Sequence, residues 1–227
     1  MSGFDLIIFD CDGVIVDSEI IAARMEARLL SDAGFVIDAQ DLAERFAGMT
    51  WKDILLAVEK EANIPLQASL LDKPEKALDA KLAKSVKGIA GVRRAALSIP
   101  LPRCICSNSS PHRIKAMLKR AGTLDLFEAN IFSTAMVDKP KPAPDIFLHA
   151  AAEMGVEPAR AVVIEDSSHG IEGARAAGMR VIGFTGGSHT YPSHADRLTE
   201  AGAETVVNRM ADLPATVEAL SDWSEFL

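Results

Sequence analysis

Six short runs rich in β-branched and apolar residues, at 6–9, 103–106, 130–133, 161–164, 180–184 and 204–207, are separated by stretches with helical patterning. Helices are expected over 111–121, 144–155, 170–177 and 213–220. Strand, helix, strand in repetition means a parallel sheet covered on both faces, because parallel neighbours need a crossover that packs back onto the sheet. The run Val162-Val163-Ile164 is apolar without alternation, as a strand buried on both faces should be. The expected class is α/β with a doubly wound parallel sheet.

The alternation breaks once. Between residues 18 and 87 no strand run stands out, and Ala, Leu, Glu, Lys and Arg dominate. Helices over 19–33, 39–46, 51–62 and 70–85, punctuated by Gly34, Gly48 and Pro65, predict a small bundle over the carboxyl edge of the sheet. The expected division is an α/β core, 1–16 and 88–227, and a helical cap, 17–87. A chain of 227 residues has room for both.

A formal charge of -8 argues against nucleic acid or an anionic membrane as a main partner. An anionic substrate would need a local positive site. No apolar run approaches the roughly 20 residues of a membrane-spanning helix, and no basic segment leads into an apolar one at the N-terminus. Cys11, Cys104 and Cys106 have neither disulfide nor zinc spacing and read as buried thiols. A cytoplasmic monomer or weak homodimer is expected.

The chemistry gathers where the apolar runs end. Leu6-Ile7-Ile8-Phe9 leads into Asp10-Cys11-Asp12-Gly13-Val14, which puts two carboxylates two residues apart at a strand end. Carboxyl ends of parallel strands are where ligands bind. Like charges this close repel unless a cation sits between them, although Asp and Gly are also ordinary turn residues. Ser107-Asn108-Ser109 follows the second run and precedes a helix led by Pro111, a suitable phosphate cradle or a plain helix cap. In Lys139-Pro140-Lys141-Pro142-Ala143-Pro144-Asp145 the prolines stiffen the backbone and hold Lys141 as a fixed cation. Glu165-Asp166-Ser167 ends the fourth run, a second acidic pair suited to Mg²⁺ and its oxygen ligands.

These four clusters, in this order and at strand ends, resemble the haloacid dehalogenase superfamily of phosphotransferases. Phe9 to Glu19, Glu165-Asp166-Ser167-Ser168-His169-Gly170-Ile171 and Ala176-Ala177-Gly178-Met179 are similar to its sugar-phosphate phosphatase and β-phosphoglucomutase branch. The motif with Cys11 is similar to phosphatases acting on 6-phosphogluconate-like substrates. The resemblance implies a Rossmann-like core of central strand order 3-2-1-4-5, a cap inserted after the first strand, and a small phosphorylated metabolite as substrate. It implies Asp10 as nucleophile, forming an aspartyl-phosphate, and Asp12 as acid and base. Mg²⁺ would be held by Asp10, Asp166 and the Asp12 carbonyl, with Glu165 direct or one layer out. Ser107 and Lys141 would hold the phosphoryl oxygens, assisted by the amides of Asn108 and Gly13.

Departures within the family narrow the reaction. Dehalogenases lack the second aspartate, so Asp12 argues against dehalogenation. The mutase has a histidine where Ile20-Ile21-Ala22 stands and an arginine where Trp51 stands, which disfavours a phosphomutase. Gly48, Trp51 and Lys52 are expected to line the leaving-group pocket. A phospho-accepting regulatory module without turnover is the alternative from another class, but such modules are about half as long and lack the helical insert.

Overall fold

The computed structural model describes residues 3–46, 49–63, 69–127 and 129–223. The chain enters the sheet with β1 (Leu6–Phe9) and leaves it for α1 (Glu19–Asp32), α2 (Ala39–Phe46), α3 (Trp51–Ala62) and α4 (Ser69–Ser85). It returns through α5 (Val92–Ser98) to β2 (Arg103–Ser107), α6 (Pro111–Ala121), β3 (Ile131–Ser133) and α7 (Asp145–Glu153). It ends with β4 (Ala161–Glu165), α8 (Ser168–Ala176), β5 (Arg180–Phe184), α9 (His194–Glu200), β6 (Thr205–Val207) and α10 (Leu213–Trp223).

The six strands form one parallel sheet in the order β3-β2-β1-β4-β5-β6. This is the expected α/β class and central order, with β6 added at one edge. Helices α5 and α9 are the additions to the sequence reading. Each has seven residues, about two turns, too few for a helical period to declare itself.

The pleat divides the core. Ile7, Phe9, Ile105, Val162 and Ile182 pack with Val92 of α5, Ile114 of α6 and Leu213 of α10. Leu6, Ile8, Cys104, Cys106 and Val163 face the other way, onto Ile146 of α7, Ile171 of α8 and Leu198 of α9. The thiols of Cys104 and Cys106 thus share one buried face, as residues two apart on a strand must. A third cluster lies within the insert, where Ala27 and Leu30 of α1 meet Leu42 of α2 and Ile54 and Val58 of α3. Leu78 and Leu82 of α4 pack with the first sheet cluster instead.

The chain leaves for these helices and comes back at one place. Val16 bridges Gly88 antiparallel, Asp17 N donates to Lys87 O at 2.9 Å, and Ile89 N donates to Ile15 O at 2.9 Å. Strand β1 has β2 on one side and β4 on the other, so the connections diverge and open a crevice at its carboxyl end. Among the described residues no helix is long and apolar enough to cross a membrane.

Candidate active site

Asp10 stands at the end of β1, in that crevice. The chain then folds back on itself: Cys11 O accepts from both Ile15 N and Val16 N at 3.0 Å. This tight turn buries the Cys11 side chain and aims Asp12 at the crevice. Three hydroxyls hold the Asp12 carboxylate. Ser18 Oγ donates to Oδ1 at 2.6 Å, while Ser107 Oγ at 3.1 Å and Ser109 Oγ at 2.9 Å donate to Oδ2. The Gly13 amide, expected to assist with phosphate, is already committed to Val16 O at 2.8 Å. What Gly13 contributes is space for the Asp166 carboxylate.

Lys141 is buried, with 6% of its surface exposed. Its Nζ donates to Asp10 Oδ1 at 2.7 Å, Cys106 O at 2.8 Å and Glu165 Oε1 at 2.5 Å, and it lies 5.1 Å above the Phe147 ring. Burial works against its charge, but Asp10 and Glu165 outweigh it and hold the ammonium well above the usual lysine range. The backbone is pinned as well, since Asn108 Oδ1 accepts from Lys141 N at 3.2 Å. The Asn108 side chain therefore sets the lysine loop.

At the end of β4, Glu165 uses both oxygens. Oε1 meets Lys141, and Oε2 accepts from Asp166 N at 3.1 Å, Ser167 N at 3.3 Å and Ser167 Oγ at 3.1 Å. Ser167 also caps α8 through Gly170 N at 3.0 Å. Asp166 is gripped from the segment after β5. His189 Nε2 lies 3.1 Å from its Oδ2, and His194 Nε2 donates to its backbone oxygen at 2.7 Å. Burial lowers His194 to about 4 and lowers His189 too, with Glu19 and Asp17 opposing at His189.

Asp10, Glu165 and Asp166 each offer an oxygen within 4.8 Å of the others, against a single lysine. Burial, and after it the neighbouring carboxylates, push Asp10 and Asp166 well above the usual range, with Lys141 opposing. A buried, all-oxygen cluster with surplus negative charge suits a hard divalent cation.

A cavity of about 440 Å³ opens from Asp10 and Asp12 toward the insert. Glu19, Ala22 and Glu26 of α1 line it, as do Trp51, Lys52 and, from α6, Arg113. Trp51 also ties α3 to α4, its Nε1 donating to Leu70 O at 2.8 Å. Lys52 is exposed. Gly48, the third expected specificity position, lies outside the described residues. Asp10, Asp12, Ser107, Asn108, Lys141 and Asp166 therefore line one cavity. Ser18, Ser109, Glu26, Arg113 and His189 join them without having been singled out as site residues. Ser18 and Ser109 lay within the sequence motifs, and His189 carried a hint in the Gly186-Gly187 pair just before it, whereas Glu26 and Arg113 carried none.

A family model for haloacid dehalogenase-like hydrolases matches residues 4–178, from β1 to the turn before β5. The chain belongs to the haloacid dehalogenase-like hydrolases. Among members of this family, the 6-phosphogluconate phosphatase of Escherichia coli (strain K12) is 28% identical over 200 residues, covering 88% of this chain and 90% of its own length. A conserved haloacid dehalogenase-like protein of unknown function from Agrobacterium tumefaciens is 64% identical. Its crystal structure superposes with a TM-score of 0.92 over 96% of this chain and 100% of that one. A haloacid dehalogenase family hydrolase of Deinococcus radiodurans, solved with bound phosphate and sodium, is 32% identical. It superposes at 0.79, covering 97% of this chain and 98% of its own. The first two strand-end motifs, the lysine loop and the acidic pair on β4 all fall inside the matched span.

Proposed function

We propose that this hydrolase is a Mg²⁺-dependent phosphatase that cleaves a small phosphate monoester, a sugar phosphate or sugar-acid phosphate, through an aspartyl-phosphate on Asp10. The observation that carries the reading is the convergence of Asp10, Asp12 and Lys141 on one cavity large enough for a metabolite. The phosphatase resemblance of the E. coli relative supports the substrate class.

Asp10 and Asp166, with the Asp12 carbonyl, would hold the ion, which supplies charge neutralisation at the phosphoryl oxygens. Glu165, with both oxygens engaged, serves Lys141. An Asp10 oxygen attacks phosphorus in line, and the bond from phosphorus to the leaving oxygen breaks. Asp12 in its protonated form gives its proton to that oxygen, releasing the alcohol. Asp12, now a carboxylate, takes a proton from water as the water oxygen attacks phosphorus. The bond to Asp10 then breaks, freeing phosphate and restoring both aspartates. Lys141 stabilises the transferring group and favours the ionised nucleophile against the burial that opposes it. The pocket wall, lined by Glu19, Glu26 and Arg113, offers acceptors and a cation to a hydroxyl-rich leaving group. We further propose that residues 17–87 act as a cap over that leaving group.

A panel of phosphorylated metabolites, assayed with Mg²⁺ for phosphate release by wild type and Asp10→Asn, tests this. Turnover of one or more sugar phosphates, lost in Asp10→Asn, is expected. Undiminished turnover in the variant would remove the covalent route.

A further inference from the structure

We propose that His189 is a positioning residue for the metal carboxylate Asp166. It would fix one carboxylate oxygen from a strap that also binds the helical insert. The proposal rests on the metal reading above and adds a residue to it.

The ring lies inside the site. His189 is 4% exposed, and its Nε2 is 3.1 Å from Asp166 Oδ2. A carboxylate oxygen only accepts, so the imidazole carries a proton on Nε2 and donates it. The other nitrogen, Nδ1, is buried without a hydrogen-bond partner among the described residues. Such a group is costly to bury, so hydrogen bonding alone does not favour placing this ring here. Space is reserved for it nevertheless. A Cβ on Gly13 would lie 3.0 Å from His189 Cε1, and one on Gly187 would lie 2.7 Å from both Cε1 and Nδ1. Two glycines from distant segments thus frame one imidazole.

The segment carrying the ring is tied at several points. Ser188 N donates to Asp17 Oδ1 at 2.9 Å, and Ser188 Oγ reaches the other oxygen of the same carboxylate. Thr190 Oγ1 donates to Thr185 O at 2.8 Å, and Gln40 of α2 donates through Nε2 to Thr190 O at 3.2 Å. Arg197 binds Glu44 O, while Tyr191 stacks on His194 at 4.7 Å. Asp166 is therefore held at its side chain by His189 and at its carbonyl by His194, from a strap anchored on Asp17 and α2.

The physical need is clear. Asp166 sits beside Asp10 and Glu165 and is repelled by both, so an unrestrained carboxylate would swing away. An N–H donor on one oxygen fixes its orientation while leaving the other oxygen for the ion. Outer-layer partners of this kind typically contribute about 10- to 100-fold in metal affinity.

Mn²⁺ binding to the purified full chain, followed by electron paramagnetic resonance and calorimetry, tests the proposal. His189→Ala should weaken Mn²⁺ binding about 10-fold or more. His189→Gln, which keeps an N–H near the same place, should recover most of the loss. Asp166→Asn should weaken binding at least as much as His189→Ala. Thermal unfolding without metal reports whether each variant is folded. Unchanged Mn²⁺ affinity in a folded His189→Ala, with Asp166→Asn weakened, overturns the proposal and leaves the metal reading standing. Nitrogen hyperfine coupling from His189 to bound Mn²⁺ also overturns it, because the ring would then be a ligand. If Asp166→Asn binds like wild type, the metal reading fails and the proposal fails with it.

Discussion

Gly13 and Asp166 occupy adjoining space with no margin: a Cβ on Gly13 would stand 1.6 Å from Asp166 Oδ2. The glycine after the two aspartates is therefore a requirement of a carboxylate that lies 153 positions later in the chain. It also has φ +75°, which an L side chain adopts at a cost of about 1–2 kcal/mol.

Gly13→Ala should accordingly do more than strain a turn. The new methyl group displaces Asp166, and a displacement near 1 Å in such a site costs about 100-fold in rate. Phosphatase assays and Mn²⁺ titration should both fall, with a lower melting temperature beside them. Full activity would contradict the packing.

Gly170→Ala pits two effects against each other. Alanine is the better helix residue by about 1 kcal/mol, and Gly170 lies within α8. Yet its Cβ would meet the Glu165 carboxylate at 2.0 Å, forcing that group off Lys141. Breaking a buried ion pair costs about 3 kcal/mol or more. The variant should be less stable in urea unfolding, against helix propensity.

Glu26 makes stability depend on pH. Burial raises it from 4.5 to about 7, with Arg113 opposing. A carboxyl raised on folding binds its proton more tightly in the folded state. Its contribution is present below pH 4.5 and lost as pH rises through about 7. At about 1.4 kcal/mol for each pH unit, about 3 kcal/mol is the ceiling. Urea unfolding of wild type and Glu26→Gln at pH 5 and pH 8 should show a smaller drop in the variant.

Arg113 Nε binds Asp79 Oδ1 at 2.5 Å, joining α6 to α4 beside the cavity, and both side chains keep some exposure. A pair of this kind contributes about 1 kcal/mol or less. Asp79→Asn should barely move the melting temperature. It should change KM more than kcat, because it frees Arg113 at the cavity wall. Equal loss in both parameters would place the pair in the chemistry instead.

Most of the sheet was legible because each strand is a local apolar run. Short helices were not, since α5 and α9 are too brief to show a period. The principal site residues were legible for a related reason. Asp10, Ser107, Glu165 and Asp166 each end or directly follow an apolar run, and parallel order brings those ends to one edge. Lys141 stood out through its prolines.

Other features depend on neighbours far away in the chain. The Asp12 carboxylate is held by Ser18 as well as by Ser107 and Ser109, and nothing near Asp12 in the sequence names the last two. The Gly13 amide donates to Val16, so the glycine acts through its missing side chain. His189 shows the limit most clearly. Its only local sign is a pair of glycines, while its meaning comes from β5 lying beside β4, with Glu165 opposite Gly183. Local patterning, written in hydrophobic period and turn chemistry, sufficed for the α/β architecture and the clustered carboxylates. Which hydroxyls, glycines and imidazole surround those carboxylates is a matter of contact between segments distant in sequence. Only the packed sheet and its loops could decide it.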